Sequence, residues 1–241
     1  QTWLFRSFIN CSYIRGDFFE TNRISAASMG ACTDLIYLAA RPYANGEVAF
    51  ELPLNDATMT NVSHTGTFQG RNGVVKFEGT SLMNGGDGLL HSADGAFNKF
   101  TFGTYIYISE WVDGAFLFKK MDGNSTIIAF QMGATANSLK LSIGSSVATV
   151  TTPDLATGWH YIGLTYEQGT AKLYVDTNNT AINFVGALPN EIPNTRTDFL
   201  IGDKFKGYLD ETFVSSLVVG TSGRNPITFD NWNNSKILAY W

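Results

Sequence analysis

The chain has 241 residues, 44% hydrophobic and only 15% charged, with a formal net charge of −5 and a pI of about 5.1. That is enough apolar side chain for one large core, and an acidic chain without basic clusters is excluded as a partner of nucleic-acid backbones, where Lys and Arg must displace counterions. No apolar run approaches the roughly 20 residues of a membrane-spanning helix, and the opening Gln1, Thr2, Trp3 has neither the basic head nor the long apolar run of a signal peptide.

The first 45 residues read differently from the rest. Residues 3–9 form an apolar and aromatic run of strand length. Residues 21–32 place Ile24, Ala27 and Ala31 at helical spacing, with Thr21 or Asn22 as N-cap and Gly30 near the end. The continuous apolar run 35–40 reads as a strand buried on both faces. Strand, helix and strand make a small α/β appendage over 1–45, closed by the Asn45–Gly46 turn. Its two cysteines, Cys11 and Cys32, leave a bridge and two separate buried thiols equally open.

From residue 46 the period changes to two. Short strands are expected at 48–54, 74–78, 100–109, 116–119, 127–132, 138–143, 146–151, 159–166, 171–175, 199–201 and 209–219, separated by Gly, Asn and Asp turns. In 100–109 Phe100, Phe102, Thr104, Ile106 and Ile108 fall on one face, Tyr105 and Tyr107 on the other. Such a series without a long helix is a sandwich or a barrel. The expected organisation is an appendage over 1–45, a sandwich over 46–220 and a tail over 221–241. The tail ends in a short apolar strand, expected to pair with the appendage.

Four stretches carry a resemblance. They are GWHYIGLTY (158–166) followed by GTAKLYVD (169–176), FLIG (199–202) leading to FKGYLDE (205–211), FTFGTY (100–105), and VVKFEG (74–79). Taken together, in their order along the chain, they resemble the laminin-G-like branch of the concanavalin A-like sandwiches found in bacterial surface proteins. Tyr105 stands where that family usually has Trp, and Asp176-Thr-Asn-Asn replaces its usual turn. The resemblance implies a mainly β, two-sheet antiparallel jelly roll that binds carbohydrate outside the cytoplasm, secreted or on a bacterial cell surface. Residues 8–13 and 33–40 more faintly resemble the opening of family 18 glycoside hydrolases. That family's catalytic acidic strand has no match here, so no catalytic residue is carried over.

Saccharide sites need an aromatic platform with polar groups on its rim. Trp111, where a strand gives way to a turn, is the expected platform, with Asp113, His91 and Asn84 as rim groups; Trp159 and Trp3 are expected to pack in the core. Asp210 with Asp56 and Asn55 is the expected oxygen set for a structural calcium ion, and Asp87 and Asp94 flank a second oxygen-rich, Gly-rich loop at 84–88. Asp210 and Glu211 are adjacent, so alternation should send them to opposite faces, unlike a catalytic acid pair. No histidine stands near another histidine or cysteine at zinc-ligand spacing. The leading expectation is a non-catalytic binding module for an oligosaccharide or polysaccharide, with calcium as a structural ion. The alternatives are part of a glycoside hydrolase and a structural or protein-binding adhesion module. This type of fold hosts all three, so fold alone does not choose among them.

Overall fold

The computed structural model describes residues 57–90, 97–176, 180–218 and 237–240, and at 64–66, 72–73 and 237–240 the backbone alone. All belong to one compact unit, Asn55–Tyr240. The appendage expected over 1–45, with Trp3, Cys11 and Cys32, lies outside them, as do Asn55, Asp56, His91, Asp94 and the expected strand at 48–54.

Among the described residues fifteen strands form, in chain order β1 (Thr58–Thr60), β2 (Ser63–Phe68), β3 (Arg71–Glu78), β4 (Leu82–Asn84), β5 (Lys99–Glu110), β6 (Phe116–Asp122), β7 (Ser125–Met132), β8 (Ser138–Ile143), β9 (Ser146–Thr151), β10 (Trp159–Glu167), β11 (Thr170–Val175), β12 (Ile182–Asn183), β13 (Phe199–Ile201), β14 (Lys206–Ser215) and β15 (Ile237–Tyr240). The described residues contain no helix. One sheet has the order β1-β4-β13-β6-β7-β8-β9. The other has the order β12-β11-β10-β5-β14-β3-β2, with β15 beside β14 as its eighth strand. All pairings are antiparallel, giving a two-sheet jelly-roll sandwich. The terminal strand pairs with the second half of β14, at Phe213, Val214 and Ser215; the appendage it was expected to pair with lies outside the described residues.

Alternation places the core. In β8, Leu139, Leu141 and Ile143 point inward while Ser138, Lys140 and Ser142 do not. In β5, Phe100, Phe102, Ile106 and Ile108 are buried and meet the opposite sheet. The Phe102 ring lies 4.8 Å from Phe118, and Phe118 stacks on Phe199 at 5.1 Å. Burying a ring of this size contributes about 2–3 kcal/mol of transfer free energy.

The outer face of the eight-stranded sheet has two halves. Thr101, Tyr161, Thr165, Phe213 and Ser215, whose register puts them on that face, are buried. Towards the other end of β5 the face opens, and Tyr107, Trp159 and Tyr208 are half-buried.

Candidate functional site

Register builds the open half. Trp159 of β10 pairs with Tyr107 of β5, Tyr107 with Tyr208 of β14, and Tyr208 with Lys76 of β3, so four outward side chains form one row across four strands. Trp159, expected in the core, therefore stands on the outer face. Its parity is that of Tyr161 and Gly163, while His160 takes the inward position. There the His160 ring lies between Asp176 Oδ2 (2.8 Å) and the Thr157 carbonyl (3.0 Å). The Trp159 and Tyr107 rings lie 5.8 Å apart and the Tyr107 and Tyr208 rings 6.0 Å apart, both edge to face.

The β2–β3 hairpin closes over this row: its Phe68 ring meets Tyr107 at 4.9 Å and Trp159 at 6.3 Å as well as Tyr208. Its turn residues Gln69 (φ 49°) and Gly70 (φ 82°) both have positive φ, as a tight two-residue hairpin turn requires. In strand register Phe68 and Arg71 pair with each other and share the parity of inward Val75 and Phe77. Yet Phe68 stacks on Tyr208 with ring centroids 3.7 Å apart, and the Arg71 guanidinium lies 3.7 Å over the Tyr105 ring. The hairpin tip thus bends across the outer face. The Trp159 indole N–H donates to the Phe68 carbonyl at 3.4 Å.

Arg71 also donates from Nε to Asp210 Oδ2 (2.5 Å) and from Nη2 to Glu211 Oε1 (3.0 Å). Alternation was expected to send these neighbouring acids to opposite faces. A β-bulge between Asp210 and Phe213, with Glu211 at φ 47°, breaks it and lets both carboxylates reach one guanidinium. Burial raises the Asp210 carboxyl above its ordinary value, against the charge and hydrogen bond of Arg71. The hydroxyls of Tyr105, Tyr107 and Tyr208 have no hydrogen-bond partner among the described residues and remain available to a ligand.

Of the expected rim residues, Asp113 stays at the Trp111 edge and Asn84 lies apart from it. Trp111 donates its indole N–H to Gly133 O (2.9 Å), and Asp113 lies 3.8 Å from Lys140. Asn84 sits near the other end of the seven-stranded sheet, opposite Leu200 and giving a hydrogen bond to Asp198 Oδ2 (2.8 Å). β6 links the two ends: Phe116 pairs with Gln131 near the Trp111 end and Lys119 with Leu200 at the Asn84 end. Three residues of strand separate them by about 10 Å. His91 lies outside the described residues.

Of the expected calcium set, only Asp210 is described, and its carboxylate is engaged by Arg71. The Gly-rich loop at 84–88 likewise has a protein cation beside it. Lys120, fully buried in β6, donates to Leu89 O at 2.6 Å, with the charges of Asp87 and Asp198 acting on it. Among the described residues no group of three His, Cys, Asp or Glu side chains is placed to hold a metal ion.

This sheet order and packing define a two-sheet antiparallel jelly-roll β-sandwich with a half-open aromatic row on one sheet. Solved structures with the same type of fold include the binding domain of botulinum neurotoxin DC in complex with SialylT (13% identity, TM-score 0.51, 69% of this chain and 44% of that chain). A second is a botulinum neurotoxin type C structure, whose cell entry depends on interaction with two ganglioside molecules (14% identity, TM-score 0.51, 69% and 44%). A third is the enzymatically active domain of tailspike protein 2 of bacteriophage CBA120 (10% identity, TM-score 0.52, 81% and 34%). This chain thus spans less than half of each of those chains. No family model and no curated protein matches the sequence.

Proposed function

We propose that this chain is a non-catalytic carbohydrate-binding module of a secreted or surface-attached protein, and that the Trp159, Tyr107 and Tyr208 row is its sugar platform. The observation that carries the reading is the row itself. Large rings are held half-exposed side by side, three tyrosine hydroxyls are available, and ion pairs line the rim. Sugar C–H faces pack on such rings as apolar groups do, while hydroxyls hydrogen-bond at the edge. The two neurotoxin structures, named with SialylT and with gangliosides, support carbohydrate binding on this type of fold in general; those partners carry sialic acid and do not bear on which sugars this row takes. Asp210 and Glu211 are held by Arg71, which suits a binding role better than acid catalysis.

Calcium belongs to the reading only as a structural ion. At Asp210, with Asp56 and Asn55, it would have to share the carboxylate with Arg71. A melting temperature that rises with calcium, and no longer does so in Asp210→Asn, would support an ion there.

Isothermal titration with an oligosaccharide panel tests the function. Trp159→Ala is expected to weaken the best ligand by about 2 kcal/mol, roughly thirtyfold in Kd, the loss of an aromatic anchor. Trp111→Ala is the matched control. Loss with Trp111→Ala alone would move the site to the Trp111 and Asp113 edge, and no binding to any saccharide would overturn the reading.

A further inference from the structure

We infer that the aromatic row selects uncharged glycans and disfavours those that present a carboxylate sugar. The inference rests on the reading of the row as a sugar platform, and it follows from how the charges beside the row are arranged.

Three cationic side chains of the described residues lie on or beside the row, and each is already paired. Arg71 spends Nε on Asp210 and Nη2 on Glu211, and one face of its guanidinium lies on Tyr105. Lys76, the row's own member, pairs with Glu78 at 2.5 Å. Lys206, across from Glu78 in the next row, pairs with Glu110 at 2.7 Å. These three cations therefore face four carboxylates, those of Asp210, Glu211, Glu78 and Glu110.

A carboxylate sugar needs a charge-assisted donor in exchange for its lost hydration. To recruit Arg71 it must take the guanidinium from Asp210, which is only 7% exposed and would be left as a buried, uncompensated charge. Lys76 and Lys206 are more exposed and easier to draw away. Their released partners, Glu78 and Glu110, remain beside the row and repel the same ligand. A neutral sugar meets none of these costs. It needs only apolar ring surface and hydroxyls, and Phe68, Tyr107, Trp159 and the Tyr208 hydroxyl supply them without breaking an ion pair.

The test uses the full chain and probe pairs that differ by one acidic sugar: lactose against 3′-sialyllactose, and xylotetraose against xylotetraose with a glucuronic acid branch. Titrations are run at 20 and 300 mM NaCl. The neutral member of at least one pair is expected to bind at least fivefold tighter at low salt. The gap should narrow at high salt, because the repulsion is screened. Glu78→Gln, at an exposed position, frees Lys76 and removes one negative charge. It should improve the acidic probe severalfold and leave the neutral one unchanged.

Equal or tighter binding of the acidic probes by the unaltered protein would overturn the inference while leaving the sugar platform standing. An acidic-probe affinity unmoved by both salt and Glu78→Gln would also overturn it. Silence from all four probes and from the wider saccharide panel would overturn the platform itself, and this inference with it.

Discussion

Lys120 shows how one side chain turns a polar loop into a closed one. Its ammonium is buried under the 84–90 segment with a single hydrogen bond to Leu89 O. Burial pushes its pKa down to about 8 from 10.5, with Asp87 and Asp198 holding it up. Between those two values the unfolded chain keeps a proton that the folded chain has lost, so stability rises with pH across that window. Tyr161 acts in the opposite sense above pH 10. Burial raises its hydroxyl above the ordinary value of 10, so the unfolded chain ionises first and stability falls. The melting temperature should therefore climb by a few degrees from pH 7.5, about 1–2 kcal/mol, to a maximum near pH 10. Lys120→Met should abolish the climb, and a climb that survives it would assign the effect elsewhere. Arg71→Ala strips a buried carboxylate of its partner and should cost about 2–3 kcal/mol in denaturant unfolding. Asp210→Asn on that background should recover most of the loss, because the stranded charge is gone.

At the scale of elements, close approach between strands decides where side chains are allowed. Gly103 of β5 pairs with Gly163 of β10, and a Cβ at Gly103 would lie 2.3 Å from Phe213 Cε1 and 2.7 Å from the Tyr161 hydroxyl. Gly103→Ala should cost about 1–3 kcal/mol through overpacking, seen as a lower denaturation midpoint with an unchanged m-value. Gly202 follows β13 at φ 80°, with Phe77 Cε1 2.1 Å from where its Cβ would stand, so Gly202→Ala combines backbone strain with a clash and should cost more. The β14 bulge and the bent β2–β3 hairpin belong to this scale too. Together they bring Arg71, Asp210 and Glu211 to one point beside the aromatic row.

For the whole molecule, connectivity sets the folding problem. β14 pairs with β3 and with β5, joining segments more than 90 residues apart in the chain. The loop entropy of such pairings must be overcome before they stabilise anything, so refolding should take milliseconds to seconds or longer. Stopped-flow tryptophan fluorescence measures this, and a microsecond phase carrying the full amplitude would contradict it. The same connectivity explains which strands the sequence announces. β8, β9 and β13 have the expected bounds, because clean alternation or an apolar run ends at or next to Gly, Pro, Asn or Asp. β1 (TMT), β4 (LMN) and β12 (IN) are two or three residues long, too short for any period to show. β2 (SHTGTF) is mostly polar and owes its place to its hairpin partner β3.

Composition and period alone limited this chain to a sandwich or a barrel of short strands, because period-two burial and turn residues are local properties that each segment carries with it; the resemblance of its motifs, not the period, implied two antiparallel sheets. The period also placed Trp159, Tyr161 and Gly163 on one face of their strand. Only the tertiary structure decided that this face points away from the core, and that Tyr107 and Tyr208 arrive beside Trp159 from strands about 50 residues away on either side. Inside and outside are set by which sheet packs against which. The meeting of Arg71 with Asp210 and Glu211 depends on a bulge and a bent hairpin that have no signature in either segment read by itself.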